Sequence, residues 1–380
     1  MTKRKNIVAF VLLTIILSIY VFYHFSTIGR VEALQTCAKS MIVIERDTHR
    51  ILAKKDEKTR LPMASTTKIA TAITVIENVK NLDMEVTIPI QAVGVEGSSI
   101  YLQNGEKLKV IDLLYGLMLQ SGNDCAVALA LTTAGSIDGF AKLMNDTAKR
   151  AGATDTNFTN PHGLHDDNHY TTAYDLALIA AHALKNPVFA KIVSTKKYEM
   201  PWKGREYNRI ISNKNKILGT YDGGDGVKTG YTKKAGRCLV ASATRNNMSV
   251  IAVVLNCGPM FEECRDLLDY AFSTYKMVDL SQIVNEISLP VDNGKQKEVG
   301  LTLNESAFYP LKEDEIKDIN YEIDCEKSVV APVKKSEEKG KIAFYLKNQL
   351  LFTKKLYTIK GVEPTTIVDK LGDIVKKWNG

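Results

Sequence analysis

Six cysteines in 380 residues are too few for a disulfide-built scaffold. Charged residues make up 24% and hydrophobic residues 45%. That ordinary globular usage excludes a disordered chain, a collagen-like repeat and a coiled-coil rod. Charge of one sign is also scarce: Lys+Arg 50 against Asp+Glu 43 leaves +7, scattered along the chain. So thin an excess is no nucleic-acid footprint, though it suits work beside anionic surfaces. Internal repeats and low-complexity tracts are absent. Two stretches lack what the average contains. From Asn6 to Gly29 there is no Asp, Glu, Lys or Arg, and between Lys107 and Met200 the only Glu is Glu199.

The first stretch follows Lys3-Arg4-Lys5 and is nearly all apolar from Ile7 to Tyr23. A basic start and an apolar run read as an export signal, with Val31-Glu32-Ala33 offering small residues at a cleavage point. An uncleaved anchor is the rival reading, because the run is nearly long enough to span a bilayer. Both put the rest of the chain outside the cytoplasm. At the other end, Ile367, Val368, Leu371, Ile374, Val375 and Trp378 form one helical stripe, with Asp369, Lys370, Asp373, Lys376 and Lys377 opposite. This predicts an amphipathic helix lying in a membrane interface, residues 363–380, hinged at Glu363-Pro364.

Between the ends, Ser40–Glu45 and Arg50–Ala53 read as a hairpin. Helical patterns follow Pro62 and fill 111–150, and another runs from Leu176 to Leu184. Residues 153–170 are rich in Asn, Asp, Thr, Gly and His and read as a loop. Leu239–Ala243 and Val250–Leu255 are continuous apolar runs, hence buried strands, joined by an Asn246-Asn247 turn. Cys264–Tyr275 reads as a helix. Beyond about 280 the texture changes, with turns expected at Asn293-Gly294 and Lys339-Gly340 and alternation at Ile342, Phe344 and Leu346. The predicted division is a signal or anchor over 1–33, a main domain over 34–278, a small all-β domain over 282–361 and the terminal helix.

Ser-x-x-Lys occurs four times, at Ser65/Lys68, Ser194/Lys197, Ser273/Lys276 and Ser336/Lys339. Ser194 and Ser336 sit in stretches that look polar throughout, and Ser273 ends a helix. Ser65 opens one, where free N–H groups and the positive end of the helix dipole favour developing negative charge. A spacing of three puts Ser65 and Lys68 on one face. Alone, the pair reads as an N-cap and a solvated lysine. Two further motifs change that: Ser121-Gly122-Asn123 and Lys228-Thr229-Gly230, each present once. Ser-x-x-Lys, Ser-x-Asn and Lys-Thr-Gly in this order mark the penicillin-recognising serine acyltransferases.

More than the motifs matches. Leu61–Lys68, Gly97–Leu102, Asp112–Asp124, Asn160–Leu164, Thr172–Leu176 and Asp225–Thr232 together resemble the low-molecular-mass D-alanyl-D-alanine carboxypeptidases. These serine penicillin-binding proteins trim peptidoglycan stems, and the sporulation and vegetative types of Gram-positive bacteria look nearest. The resemblance covers about residues 38–276. It implies an α/β (α+β) penicillin-binding/β-lactamase-like transpeptidase fold: an antiparallel sheet flanked by helices, a helical subdomain and a small C-terminal all-β domain. It implies a pentapeptide substrate ending in D-Ala-D-Ala, β-lactams as covalent inhibitors, no cofactor, no nucleic acid, and a site at the outer face of the cytoplasmic membrane.

The implied roles make chemical sense. Ser65 attacks and is acylated. Lys68 is its base if neutral, which burial and the nearby cation Lys228 favour. Ser121 relays the proton, and Asn123 holds Lys68 and the substrate amide. Lys228, Thr229, Thr232 and, more loosely, Lys214 meet the terminal carboxylate. The N–H groups of Ser65 and Tyr231 form the oxyanion hole, and Gly230 lets substrate backbone approach its strand. The family often has an Arg where this chain has Pro259-Met260-Phe261, so Lys214 or Arg265 must take that duty.

Rival readings remain. A class A-like β-lactamase shares the three motifs but uses a Glu to activate water, and the only Glu available, Glu199, lies in a strand-like stretch. A non-catalytic penicillin-binding sensor would keep the fold without turnover. His162, His165 and His169, beside Asp166 and Asp167, have the composition of a zinc site; the chemistry-free reading is a polar loop, and no metal is assigned. The cysteines read as mostly free thiols, Cys257/Cys264 being the pair close enough in sequence to bond.

Overall fold

A computed structural model describes residues 36–369 and Leu371; the export-signal stretch and most of the terminal helix lie outside the described residues. Two strands open the main domain, β1 (Ser40–Glu45) and β2 (Ile51–Lys55). A 3-10 turn, Ala64–Thr67, runs straight into helix α1 (Lys68–Asn78). The short strands β3 (Glu85–Thr87) and β4 (Lys107–Lys109) bracket a loop that carries Glu96–Leu102. Helices α2 (Val110–Leu119), α3 (Asn123–Ala134) and α4 (Ile137–Arg150) follow, then α5 (Ala173–Leu184) and α6 (Pro187–Ser194). The hairpin β5 (Lys197–Met200) and β6 (Arg209–Ser212) and the one-turn α7 (Ile217–Thr220) lead to β7 (Gly224–Thr232), β8 (Gly236–Arg245), β9 (Met248–Leu255) and α8 (Met260–Thr274).

The main sheet is antiparallel, in the order β2-β1-β9-β8-β7. Every residue of β9 is buried, which requires cover on both faces and explains the unbroken apolar run. Helices α5 and α8 pack on β9, and α1 connects the sheet to the helical cluster α2–α4. This arrangement leaves β7 at the sheet edge, facing the turn that carries Ser65. Asn246 and Asn247 both take positive φ in the β8–β9 turn, where asparagine tolerates the left-handed region best after glycine.

The C-terminal part is all β. Strand β10 (Lys276–Asp279) pairs with β13 (Phe308–Leu311), and a six-stranded sheet assembles β11 (Ile287–Asp292), β12 (Glu298–Leu303), β14 (Ile319–Cys325), β15 (Val329–Val330), β16 (Glu338–Leu346) and β17 (Gln349–Thr358). Its core includes Val299, Ile342, Phe344 and Leu356. Arg50 rivets it to the main domain. The guanidinium donates to the Pro310 carbonyl, pairs with Glu315 at 2.6 Å and stacks between the rings of Tyr275 and Tyr309, 5.1 and 5.3 Å from their centroids.

Three sequence expectations are corrected. Lys339-Gly340 is no turn: both residues lie in β16, at an irregularity in its pairing with β17. A Cβ at 340 would crowd Cys325 and the Asp324 carbonyl, so glycine there serves close strand approach. Ser194 ends helix α6, whose apolar face buries Phe189, Ile192 and Val193. The last helix of the main domain begins at Met260, a turn before Cys264. Cys125, Cys238 and Cys264 are buried thiols outside any disulfide, so the Cys257–Cys264 bond is not formed.

Candidate active site

Four segments distant in sequence converge on Ser65. The first is its own turn. Ala64 has φ 50, a left-handed backbone for a non-glycine residue, and the turn is held by Thr66 and Thr67, whose hydroxyls donate to the carbonyls of Met63 (2.6 Å) and Ala64 (2.8 Å). Residues 160–164 wrap the turn from outside. Gly163, at φ 87, approaches so closely that a Cβ there would overlap the Ala64 carbonyl. Leu61 and Thr171 exchange both backbone hydrogen bonds, at 2.8 and 3.0 Å, fixing the wrap to the strand-like lead into the turn.

His169 anchors that wrap from within. Its Nδ1 accepts from the Thr159 N–H at 3.0 Å, and its Nε2 lies 2.8 Å from the Thr67 hydroxyl. Since that hydroxyl donates to Ala64, Nε2 carries the imidazole proton and the ring is neutral. Burial lowers its pKa to about 4. His162 contributes its carbonyl to Lys68, and its ring Nδ1 accepts from the Leu164 N–H at 3.2 Å. His165 pairs with Asp167 at 3.2 Å. Each of the three histidines thus has its own separate protein partner.

Lys68 is fully buried, the first residue of α1. Its Nζ has three neighbours: Asn123 Oδ1 at 2.7 Å, the His162 carbonyl at 2.6 Å and Ser65 Oγ at 3.0 Å. The first two are acceptors only. A neutral amine has two N–H groups for them and one lone pair left, which then faces the Ser65 hydroxyl. Burial is the main cause that holds the Lys68 pKa well below its usual value, and the charge of Lys228 adds to it.

The Ser121-Gly122-Asn123 corner joins α2 to α3. Ser121 takes φ 65 and is nearly buried; among the described residues its hydroxyl has no hydrogen-bond partner. Asn123 holds Lys68 with one end of its amide and donates with the other to the Glu96 carbonyl. One N–H of that amide is therefore already engaged, and only the second remains for a substrate. Gly97 lies against it, where a Cβ would stand 2.7 Å from Nδ2. Asp124, which sequence reasoning missed, accepts from Ser99 Oγ (2.6 Å) and the N–H groups of Ile100 and Leu102 (3.0 and 3.2 Å).

Strand β7 closes the other side. Lys228 is buried, donates to the Thr229 carbonyl at 2.9 Å, and its pKa is lowered to about 7 by burial and then by Lys214. Lys214 is itself shifted down by burial. Arg265 is paired with Glu262 along α8, at 3.7 Å. At Gly230 a Cβ would stand 3.0 Å from both the Met63 carbonyl oxygen and the Ser65 nitrogen. The Ser65 turn needs that space. Thr232 accepts from the Ala235 N–H at 3.0 Å. The cleft between these walls has a volume of about 330 Å³ and is lined by Ser65, Ser98, Asn123, His162, Tyr231 and Thr232, among others. Glu199 does not line it; its carboxylate accepts from Asn208 at 2.8 Å on β5.

Comparison with known proteins identifies the family. Residues 28–258 match the family model described as D-alanyl-D-alanine carboxypeptidase, and residues 272–364 match that of the penicillin-binding protein 5 C-terminal domain. The chain is 35% identical over 334 residues to the D-alanyl-D-alanine carboxypeptidase DacF of Bacillus subtilis, covering 85% of each. It is 32% identical over 364 residues to DacC of Escherichia coli, covering 91% of this chain and 89% of that one. Penicillin-binding protein 5 from Haemophilus influenzae superposes with a TM-score of 0.72 at 29% identity, over 87% of this chain and 98% of that one. A family model matched over residues 28–258, relatives 32–35% identical over most of their length and a shared fold make this chain a member of the D-alanyl-D-alanine carboxypeptidase family, a serine-type enzyme of penicillin-binding protein architecture.

Proposed function

We propose that Ser65, with Lys68 as its base, removes the terminal D-alanine from peptidoglycan pentapeptide stems. The observation that carries this is the buried Lys68 Nζ, 3.0 Å from Ser65 Oγ with two acceptors as its other neighbours, so that a neutral amine turns its lone pair to Oγ. Lys68 takes the Oγ proton as Oγ bonds to the carbonyl carbon of the penultimate D-Ala. The oxyanion lies at the backbone N–H groups of Ser65 and Tyr231, near the N-terminus of α1. Lys68 returns the proton, through Ser121, to the nitrogen of the leaving D-Ala, and the C–N bond breaks. Water then attacks the ester, giving its proton to Lys68, and Ser65 is restored. Lys228 and Thr229 bind the terminal carboxylate. Lys214, whose charge reaches Lys228, supports them in place of the missing Arg; Arg265 is already paired with Glu262. A penicillin acylates Ser65 by the same route, but its leaving nitrogen stays tethered.

The protein works outside the cytoplasm, at the outer membrane face. The described start of the terminal helix supports attachment there. Thr366 and Asp369 cap each other reciprocally, and Ile367, Val368 and Leu371 are exposed. Within the family the Gram-positive sporulation and vegetative type fits best, in line with the match to the Bacillus relative. The test of the reaction is D-Ala release from a pentapeptide by the native enzyme and by Ser65→Ala. The variant should release none and take no covalent penicillin label; persistent labelling would sink the assignment.

A further inference from the structure

Eleven non-glycine residues among those described have positive φ, and Asn or Asp accounts for five of them. Ala64 and Ser121 lie beside the cleft-lining Ser65 and Asn123 in sequence. Tyr101 is the largest side chain in the set, with φ 62 and 74% exposure. A bulky side chain adopts this conformation only under strain, and an exposed ring gains no burial in return. Such strain persists only where the surroundings over-determine it.

Here they do. The N–H groups on either side, of Ile100 and Leu102, donate to Asp124. The Tyr101 N–H donates to Ser99 Oγ at 2.8 Å, and Ser99 in turn donates to Asp124. The Tyr101 carbonyl accepts from Arg209 at 3.5 Å, and Arg209 is locked to Glu106 at 3.1 Å in a buried ion pair. The backbone of 99–102 is thus fixed from below while the ring points away from the core. Ser98 lines the cleft, and its carbonyl accepts from the Asn123 N–H at 2.7 Å. Tyr101 follows by three residues, so its backbone lies within about 11 Å of that cleft-lining residue. The side chain of the residue before D-Ala-D-Ala reaches a similar distance from the scissile carbonyl.

We propose that Tyr101 is a substrate-binding residue whose ring packs on the aliphatic side chain of the third stem residue, next to D-Ala-D-Ala. The proposal rests on the carboxypeptidase reading of the cleft. It makes the strained loop a device for presenting an aromatic platform to the stem peptide upstream of the scissile bond.

The test uses the full chain, two pentapeptides with Lys or Ala at the third position, and benzylpenicillin. Tyr101→Ala should raise KM for the Lys peptide about tenfold, leave the Ala peptide within about twofold, and leave penicillin acylation unchanged. Tyr101→Phe should behave as native. Tyr101→Gly, which relieves the strained φ, should melt no lower than native yet show the same loss on the Lys peptide. Equal losses on both peptides and on penicillin would mean a merely structural role, and no loss on either peptide would mean no contact; both overturn the proposal. Failure of the native enzyme to release D-Ala from either peptide would instead overturn the cleft reading, and this proposal with it.

Discussion

Gly163 sits against the carbonyl of Ala64, the residue before Ser65, with no room for a Cβ. The contact joins the wrap of residues 160–164 to the Ser65 turn, and the next residue back, His162, supplies the carbonyl that orders Lys68. Gly163→Ala must therefore push the two apart, and its positive φ adds strain. Penicillin acylation should fall by about 10²-fold, in a protein that still gives a native far-UV circular dichroism spectrum. Acylation at the native rate would show that the wrap does not hold the lysine.

Asn123 offers Lys68 a neutral acceptor at 2.7 Å. Asn123→Asp replaces it with a carboxylate, and an opposite charge favours the ammonium. The Lys68 pKa should rise. Acylation near neutral pH should fall by about 10²-fold or more and recover partly as pH is raised. A pH profile of acylation by stopped-flow checks this; an unshifted profile would count against a neutral lysine.

Lys228 has its pKa lowered to about 7. It is charged below that pH and loses its charge above it, so with the proposed role of Lys228 the free enzyme should bind the substrate carboxylate less well as pH rises. KM for a peptide should increase through roughly pH 7 to 8, with kcat changing less. In Lys228→Gln, KM should be high and flat across the same range.

His169 is neutral in the fold, with a pKa near 4 against an ordinary 6.5. The unfolded chain binds the proton first as pH falls, so stability is full above 6.5 and is lost between there and about 4. The loss should be about 3 kcal/mol, read as a fall in the urea midpoint. His169→Gln should remove most of that slope, since it has no proton to gain.

Arg50 holds the two domains together by an ion pair, a carbonyl and two rings. Arg50→Ala leaves Glu315 half-buried without its cation and should cost about 3 kcal/mol. Calorimetry should then separate the melting of the two domains, while penicillin acylation stays within about twofold because the cleft is untouched.

Much of this was legible in the sequence for a physical reason. Ser-x-x-Lys alone is common, but with Ser-x-Asn and Lys-Thr-Gly in order it singles out Ser65, Lys68 and Lys228, because the proposed chemistry needs those residue types. Strand β9, buried on both faces, reads as an unbroken apolar run. What stayed hidden depends on contacts between distant segments. Asp124 shows no signal beyond lying beside Asn123, yet it stitches residues 99–102 to the cleft. Gly163 and Gly230 lie in motif-bearing stretches, but that each makes room for the Ser65 turn shows only once the segments are brought together. Helix α6 is eight residues long, too short for its period to stand out around Ser194. Lys339-Gly340 carries turn chemistry that a strand irregularity uses equally well.

The central claim is that Lys68 activates Ser65. Its most direct measurement is the acylation rate of the native enzyme and of Lys68→Ala with the same penicillin, the adduct located by mass spectrometry. The account predicts an adduct on Ser65 in the native enzyme and a rate at least about 10²-fold lower in the variant. Acylation of Ser65 in Lys68→Ala at the native rate would contradict it.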